Sequence, residues 1–269
     1  MTGHLTWIGT ATTLLEYGGF TVLTDPNFLH RGERAYLGKG LWSKRLSEPS
    51  LQVDELPPLD AVVLSHLHGD HFDRRARHGL PKDTLIVTTR QAARRLRLWG
   101  FANAVALGTW DSHELARSDG SRLTITAAPG RHAPGMLQGL LPPVMGSVLA
   151  YAPTGDDVPL EVYLTGDTLM HDDLREVPQR HPHLDVGLWH LGGTRIPGAF
   201  GLGLLVTMDG RQGADLLQLV RPQRTVPIHH GDYPVFRSPV TDFLAEVEQR
   251  GLTGVRPVER GQRLQLPPP

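Results

Sequence analysis

The feature that most constrains this chain is a cluster of histidines that directly follows a short apolar run. Residues 60–65 predict a buried strand, and they lead into the segment His66-Leu67-His68-Gly69-Asp70-His71. In an extended segment, residues two positions apart point the same way, so His66 and His68 can bind one ion. A bend at Gly69 then turns the last two side chains toward a neighbouring position. We therefore interpret the segment as a metal site rather than as a solvated histidine-rich turn.

The composition narrows the kind of metal site. The chain has 269 residues with 14 His and no Cys, which excludes disulfides, thiolate ligands and cysteine nucleophiles. Nitrogen and oxygen ligands alone favour zinc, with manganese or iron as alternatives. The formal charge of −1 indicates no general nucleic-acid-binding surface. Without a signal-like segment or an apolar stretch near the ~20 residues that a membrane helix needs, the chain is predicted to be cytoplasmic, with no membrane insertion.

The rest of the chain alternates between strand-like and helix-like segments. Two β-type runs flank Gly18-Gly19 and predict a hairpin, because glycine permits positive φ at both turn positions. Residues 26–58 are rich in Gly, Pro and Arg and predict a long surface excursion. Further strands are predicted at 84–88, 104–107, 122–128, 147–152, 161–165, 185–189 and 224–228, and helices at 91–99, 209–220 and 239–250.

The last of these helices has clear sequence signals at both of its ends. The order of strands and helices along the chain then predicts the fold. Ser238 is the expected N-cap, Pro239 the first helical residue and Gly251 the residue past the end. Both halves of the chain are rich in strands and carry helices. We therefore predict an α/β (α+β) fold in one domain over residues 1–269, an αββα sandwich of two mixed sheets packed face to face with helices outside.

Three later polar residues also follow strand-like runs. His132 follows the strand predicted at 122–128, Asp167 lies in Thr165-Gly166-Asp167-Thr168, and His229 follows the strand at 224–228. Taken singly, each is more often a capping aspartate or an ordinary surface histidine. Together with the first cluster, they are better interpreted as metal ligands on loops that converge at strand ends.

The order HxHxDH, then His, then Asp, then His resembles the metallo-β-lactamase superfamily. The flanking sequence is similar to the branch that contains ascorbate-6-phosphate lactonase and N-acyl-phosphatidylethanolamine phospholipase D. The resemblance extends from about residue 5 to about residue 235. It rests on the metal motif and on segments 7–12, 23–26, 60–64, 165–168 and 226–229.

The resemblance implies roles for individual residues. One metal would be bound by His66, His68 and His132. A second metal would be bound by Asp70, His71 and His229, with Asp167 bridging the two. Asp25 would orient one of the ligands. One departure concerns the N-terminal motif, because many relatives have Gly-His-Ala-Thr where this chain has Gly9-Thr10-Ala11-Thr12.

Other residues near these motifs are weaker candidates. His230 stands beside His229 and could be mistaken for the ligand, although the family pattern favours His229. His190 follows a predicted strand and is interpreted with equal weight as a structural residue and as a residue facing the site. Residues 192–203 are either a loose connection or a mobile lid, in which Arg195 could contact an anionic group.

The resemblance implies a metal-dependent hydrolase of small molecules. A hydroxide activated by two metals would attack a phosphodiester or a lactone or other ester, and Asp70 would orient the nucleophile and act as the catalytic proton carrier. The alternative is a metal-binding sensor or scaffold of the same fold without catalysis. The sequence separates the two substrate classes poorly, and it does not predict an oligomeric state.

Overall fold

The structure, a computed structural model, describes residues 3–153, 158–196 and 203–267. Within these ranges the chain forms strands and helices in the following order. The strands are β1 (His4–Gly9), β2 (Thr12–Tyr17), β3 (Phe20–Thr24), β4 (Arg34–Tyr36), β5 (Trp42–Lys44), β6 (Ala61–Leu64), β7 (Ile86–Thr89), β8 (Ala104–Leu107), β9 (Ser112–Ala116), β10 (Arg122–Ala128), β11 (Gly146–Ala152), β12 (Leu160–Leu164), β13 (Val186–His190), β14 (Arg195–Ile196), β15 (Leu204–Leu205), β16 (Arg224–Ile228) and β17 (Arg263–Gln265).

The helices are α1 (Arg74–Gly79), α2 (Arg90–Leu98), α3 (Glu176–Arg180), α4 (Gly210–Val220) and α5 (Val240–Gln249), with 3₁₀ turns at Val53–Glu55, Gly135–Leu140 and Asp172–Arg175. Side-chain caps explain where three of the helices begin. Asp73, Thr89 and Asp209 each accept a hydrogen bond from the backbone N–H three residues later, at the starts of α1, α2 and α4 respectively. Within the described residues, no helix combines the length and the apolar character needed to cross a membrane.

The first sheet has the order β17-β1-β2-β3-β6-β7-β8. Strands β1, β2 and β3 pair antiparallel, whereas β3, β6, β7 and β8 run parallel. The predicted hairpin is present, with Tyr17 opposite Phe20. Gly18 and Gly19 have φ values of 58° and 82°, which is the backbone twist that a two-residue hairpin turn requires.

The second sheet has the order β16-β13-β12-β11-β10-β9. Its strands β9 to β12 pair antiparallel, and β12, β13 and β16 are parallel. The parallel strands of both sheets are almost entirely buried, which explains why they are apolar runs in the sequence.

The two sheets pack face to face with helices on both outer sides. One core lies between the sheets and joins residues such as Leu15 and Val63 of the first to Leu149 and Leu188 of the second. A second core packs α1 and α2 on the first sheet, and a third packs α3, α4 and α5 on the other. The predicted αββα architecture is confirmed.

Two local predictions are wrong. Residues 26–58 are not simply a surface excursion, because Phe28, Leu29 and the Arg45 guanidinium are fully buried. Helix α5 begins one residue later than predicted, with Pro239 as its N-cap. Ser238 instead accepts a hydrogen bond from the N–H of Gly210 (3.0 Å) and so links the starts of α4 and α5.

Candidate metal centre

The predicted ligands gather where strands of both sheets end. His66 lies just after β6, His132 after β10, Asp167 after β12 and His229 directly after β16. Each of these four side chains is buried. The parallel strands end at one edge, so residues far apart in sequence meet there.

The first cluster consists of His66, His68 and His132. The Nε2 atom of His66 lies 2.9 Å from Nδ1 of His68, and Nε2 of His132 lies 3.2 Å from the same atom. Imidazole nitrogens bound to one tetrahedral zinc lie about 3.3 Å apart, given Zn–N bonds of ~2.0–2.1 Å. The spacing of the three nitrogens therefore suits one metal ion.

The second cluster consists of Asp70, His71 and His229, whose possible ligand atoms lie within 4.8 Å of one another. Asp167 lies between the clusters. Its Oδ2 is 3.4 Å from Nε2 of His71, and its Oδ1 is 3.5 Å from Nε2 of His229. It also forms a possible ligand group with His66 and His71. This is the position that a bridging carboxylate would occupy.

The outward-facing ring nitrogens are held by hydrogen bonds. Nδ1 of His132 lies 2.7 Å from the carbonyl oxygen of Val206, and Nδ1 of His229 lies 3.0 Å from that of Leu191. A carbonyl accepts only, so in both rings Nδ1 carries the proton and Nε2 presents its lone pair to the cluster. The tautomer of each ring is thus set for metal binding.

Several buried atoms of these clusters have no hydrogen-bond partner among the described residues. Buried polar atoms are usually paired, and leaving one unpaired costs about 1–3 kcal/mol. Four unpaired atoms within the second cluster and its neighbour Asp167 fit a site built for cations. They are Asp70 Oδ1, His71 Nε2, Asp167 Oδ1 and His229 Nε2. A fifth, Nε2 of His68, faces Gly38 instead.

The two clusters differ in the direction in which their histidine pKa values are shifted. Burial lowers the pKa of His66 well below its usual range and lowers that of His68 to about 3, so both rings are neutral. For His71, burial also acts to lower the pKa, but carboxylates led by Asp167 and Asp25 outweigh it and raise the pKa well above the ordinary value. The second cluster therefore attracts positive charge, which a divalent cation would supply in place of protons.

Asp25 and His190 lie behind His71 as a supporting pair. Oδ2 of Asp25 is 3.1 Å from Nδ1 of His71 and 3.3 Å from Nε2 of His190, and Oδ1 accepts the N–H of Ser65 (2.7 Å). Burial acts to raise the pKa of Asp25, but His71 and His190 outweigh it and hold that pKa at about 2. An ionised Asp25 fixes the His71 ring, as the resemblance implies. Asp25, His71 and His190 also form a further group that could hold a metal ion.

The structure does not bring His230 into the clusters. Its ring lies against Trp7, with the centroids 5.0 Å apart, and burial lowers its pKa to about 4. Arg195 is exposed on β14 and donates to the carbonyl oxygen of Gly203 (3.2 Å). Half of the predicted lid, residues 197–202, lies outside the described residues, so the lid stays a prediction.

Sequence reasoning missed two features of the site. One is Thr207, whose Oγ1 donates to Oδ2 of Asp167 at 2.8 Å. The other is the strap, defined here as the β4–β5 hairpin of residues 34–44, which lies against the metal motif. The N–H of Gly69 donates to the carbonyl oxygen of Tyr36 (2.8 Å), and a Cβ atom at Gly69 would lie 2.6 Å from the Tyr36 nitrogen. The Gly38-Lys39-Gly40 turn was the available signal for the strap.

A family model described as the beta-lactamase superfamily domain matches residues 21–230 of this chain. The chain belongs to the metallo-β-lactamase superfamily. Among its relatives in the superfamily, a metal-dependent hydrolase of Methanopyrus kandleri is 24% identical over 249 residues, which are 93% of each chain. The chain spans about half the length of the mycobacterial relatives that it matches, which are 29% identical over 191 residues.

Two solved structures of other proteins share the fold. A possible metal-dependent hydrolase from Veillonella parvula superposes with a TM-score of 0.81 at 20% identity, over 99% of this chain and 100% of the other. The isothiocyanate hydrolase from Delia radicum gut bacteria gives 0.76 at 23% identity, over 97% of this chain and 98% of the other. At these identities the likeness shows the fold alone.

Proposed function

We propose that this protein is a metal-dependent hydrolase that holds two divalent cations, zinc first and manganese or iron as alternatives. The observation that carries the proposal is the meeting of seven buried side chains at one edge of the fold, five of them with a buried atom that has no hydrogen-bond partner among the described residues. One ion would be bound by His66, His68 and His132. The other would be bound by Asp70, His71 and His229, and Asp167 would bind both ions. The names of the relatives from Methanopyrus and Veillonella support the same class of reaction.

The chemistry follows from what each group would do. Two bound cations would lower the pKa of a shared water toward ~7 and stabilise the oxyanion that develops on the substrate. Oδ1 of Asp70 has no hydrogen-bond partner among the described residues. Asp70 would accept the proton of the attacking water and pass it to the leaving group. Asp25 and His190 would hold the His71 ring still, while Thr207 holds Asp167.

The substrate class is a small molecule with an electrophilic carbon or phosphorus. A carboxylic ester or lactone and a phosphodiester are the two candidates. The isothiocyanate hydrolase of the same fold adds a third electrophile worth assaying, the neutral carbon of an isothiocyanate. With a formal charge of −1, nucleic acid is not proposed as a substrate or partner.

Metal content and turnover test this function together. Tag-free protein should contain about two equivalents of zinc, manganese or iron by elemental analysis. The loaded protein should hydrolyse at least one of 4-nitrophenyl acetate, a γ-lactone, phenethyl isothiocyanate and bis(4-nitrophenyl) phosphate. Asp70→Asn should reduce that turnover by roughly 10²- to 10⁴-fold.

The non-catalytic alternative makes a different prediction. A sensor or scaffold would bind metal tightly but leave the whole panel unhydrolysed, and Asp70→Asn would change nothing except metal affinity. Protein that takes up no metal from added salts would contradict both functions, because the clusters would then not be ligand sets.

A further inference from the structure

A groove of about 400 Å³ opens beside His68. One wall is the turn of the strap, with Leu37 and Leu41, and Leu67 of the metal motif adjoins it. The opposite wall is formed by Leu140 and its neighbours 141 and 142 at the end of the 3₁₀ turn, together with Ile196. Apart from Tyr36, Lys39 and His68, the side chains lining it are aliphatic.

The charge of the groove is as informative as its apolar walls. Among the described residues that line it there is no carboxylate, and Lys39 is the one formally charged side chain. Lys39 is itself exposed on the turn of the strap. Away from Lys39, the aliphatic walls offer no ionic partner to a buried charge. This part of the lining therefore favours an apolar chain.

The groove adjoins the candidate metal centre at His68, the one proposed ligand among its described lining residues. Nδ1 of this ring belongs to the first cluster, 2.9 Å from Nε2 of His66. Its Nε2 is buried, has no hydrogen-bond partner among the described residues, and would lie 3.6 Å from a Cβ atom at Gly38 in the groove wall. A molecule in the groove therefore lies against a proposed metal ligand.

We propose that this groove holds the apolar acyl chain of a neutral ester substrate whose carbonyl carbon lies at the metal centre. This inference rests on the proposed function and chooses between its candidate substrates. In the reaction, the water oxygen bonds to the acyl carbon and the bond to the alcohol oxygen breaks. One water proton passes to the alcohol, and the other is released as the acid ionises. A phosphodiester without an apolar chain lacks the group that these walls would bind.

The length of the acyl chain is the test of the groove. We would measure kcat/KM of the metal-loaded protein for 4-nitrophenyl acetate, butyrate, hexanoate and octanoate, which share one leaving group. Each buried methylene should raise kcat/KM by about two- to fourfold, until the chain fills the groove. Values that stay flat or fall from acetate to hexanoate would overturn the inference.

Two variants test whether the dependence on chain length arises in this groove. Leu140 is 57% exposed at the groove and Leu98 is 79% exposed on α2, so glutamine at either position should leave the fold intact. Leu140→Gln should flatten the dependence on chain length, whereas Leu98→Gln should keep it. An equal slope in the two variants would place the acyl chain elsewhere and overturn the inference.

A binding measurement separates failure of the groove from failure of the hydrolase. The neutral fluorophore N-phenyl-1-naphthylamine needs no turnover. It should bind wild type and Leu98→Gln equally and Leu140→Gln at least several-fold more weakly. Equal binding by all three proteins would overturn the proposal that this groove is the binding site, even if esters are hydrolysed. If the fluorophore binds as expected but no substrate of the panel is turned over, the groove stands as a binding site and the proposed function fails.

Discussion

The backbone N–H of His229 donates a hydrogen bond to the carbonyl oxygen of Thr10 (2.7 Å), which ties a proposed metal ligand to the turn between β1 and β2. Both residues have a positive φ angle, 59° at His229 and 50° at Thr10, which is uncommon for residues other than glycine. Asp232 stabilises this strained turn, because its Oδ2 accepts hydrogen bonds from the N–H of Thr10 (2.5 Å) and from the Thr10 hydroxyl (3.1 Å). The Thr10 carbonyl therefore contacts His229, while its N–H and hydroxyl contact Asp232.

Asp232→Asn should destabilise the protein, because the buried carboxylate also accepts from Ser47 and pairs with Arg260. Removing one partner of a buried ion pair costs about 3–5 kcal/mol, and the low end applies because Arg260 is partly exposed. Urea unfolding monitored by fluorescence would measure the loss. Asp54→Asn, at an exposed position, should change stability by less than about 0.5 kcal/mol. Similar midpoints for the two variants would show that Asp232 does not hold the turn.

Adjacent histidines should differ in their effect on metal content. His229 faces the second cluster, whereas the His230 ring packs on Trp7. His229→Ala should lower the metal content from about two equivalents toward one, because the second ion loses an imidazole ligand. His230→Ala should retain both ions. Elemental analysis of the two variants decides the point, and equal metal content would mean that His229 is not a ligand.

Thr207→Val should weaken metal binding without leaving a cavity, because valine has nearly the same shape as threonine. The lost hydrogen bond to Asp167 should lower affinity by roughly 10- to 100-fold, as measured by competition with a zinc chelator. Thr225→Val is the matched control, since the buried Oγ1 of Thr225 has no partner among the described residues. Its zinc affinity should equal that of wild type. A similar loss in both variants would assign the effect to general destabilisation.

Glu33 anchors the strap to α1 and should make stability depend on pH. Its carboxylate bonds Arg75 (2.8 Å) and Arg74 (2.5 Å), and hydrogen bonding from Arg75 is the main cause that lowers its pKa from 4.5 to about 2. The lowered pKa means that the stabilisation is complete above pH 4.5 and disappears as the pH falls toward 2. Wild type should therefore exceed Glu33→Gln in urea midpoint at pH 6 by a margin that shrinks through pH 4 and 3. A constant margin would contradict the ion-pair account.

The strand ends were predictable because they depend on local patterns. An apolar run followed by His66 or Asp167 carries its own signal, and the buried parallel strands explain why that signal is strong. The burial of side chains within residues 26–58 was not predictable, because it depends on distant partners. Phe28 and Leu29 donate backbone N–H groups to Asp73, and the guanidinium of Arg45 is enclosed by Asn27. Ser238 failed as an N-cap for the same reason, since its partner Gly210 lies in another helix.

The link between His229 and Thr10 also sets an order of events during protein synthesis. The chain leaves the ribosome with His66, His68 and His132 well before β16 and His229 have been made. The proposed ligands of the first ion can therefore meet while the second set is incomplete, and the hydrogen bonds that His229 and Asp232 make to Thr10 form only when those residues arrive. Completion of the proposed second ligand set and stabilisation of the strained turn thus both wait for the same late segment of the chain.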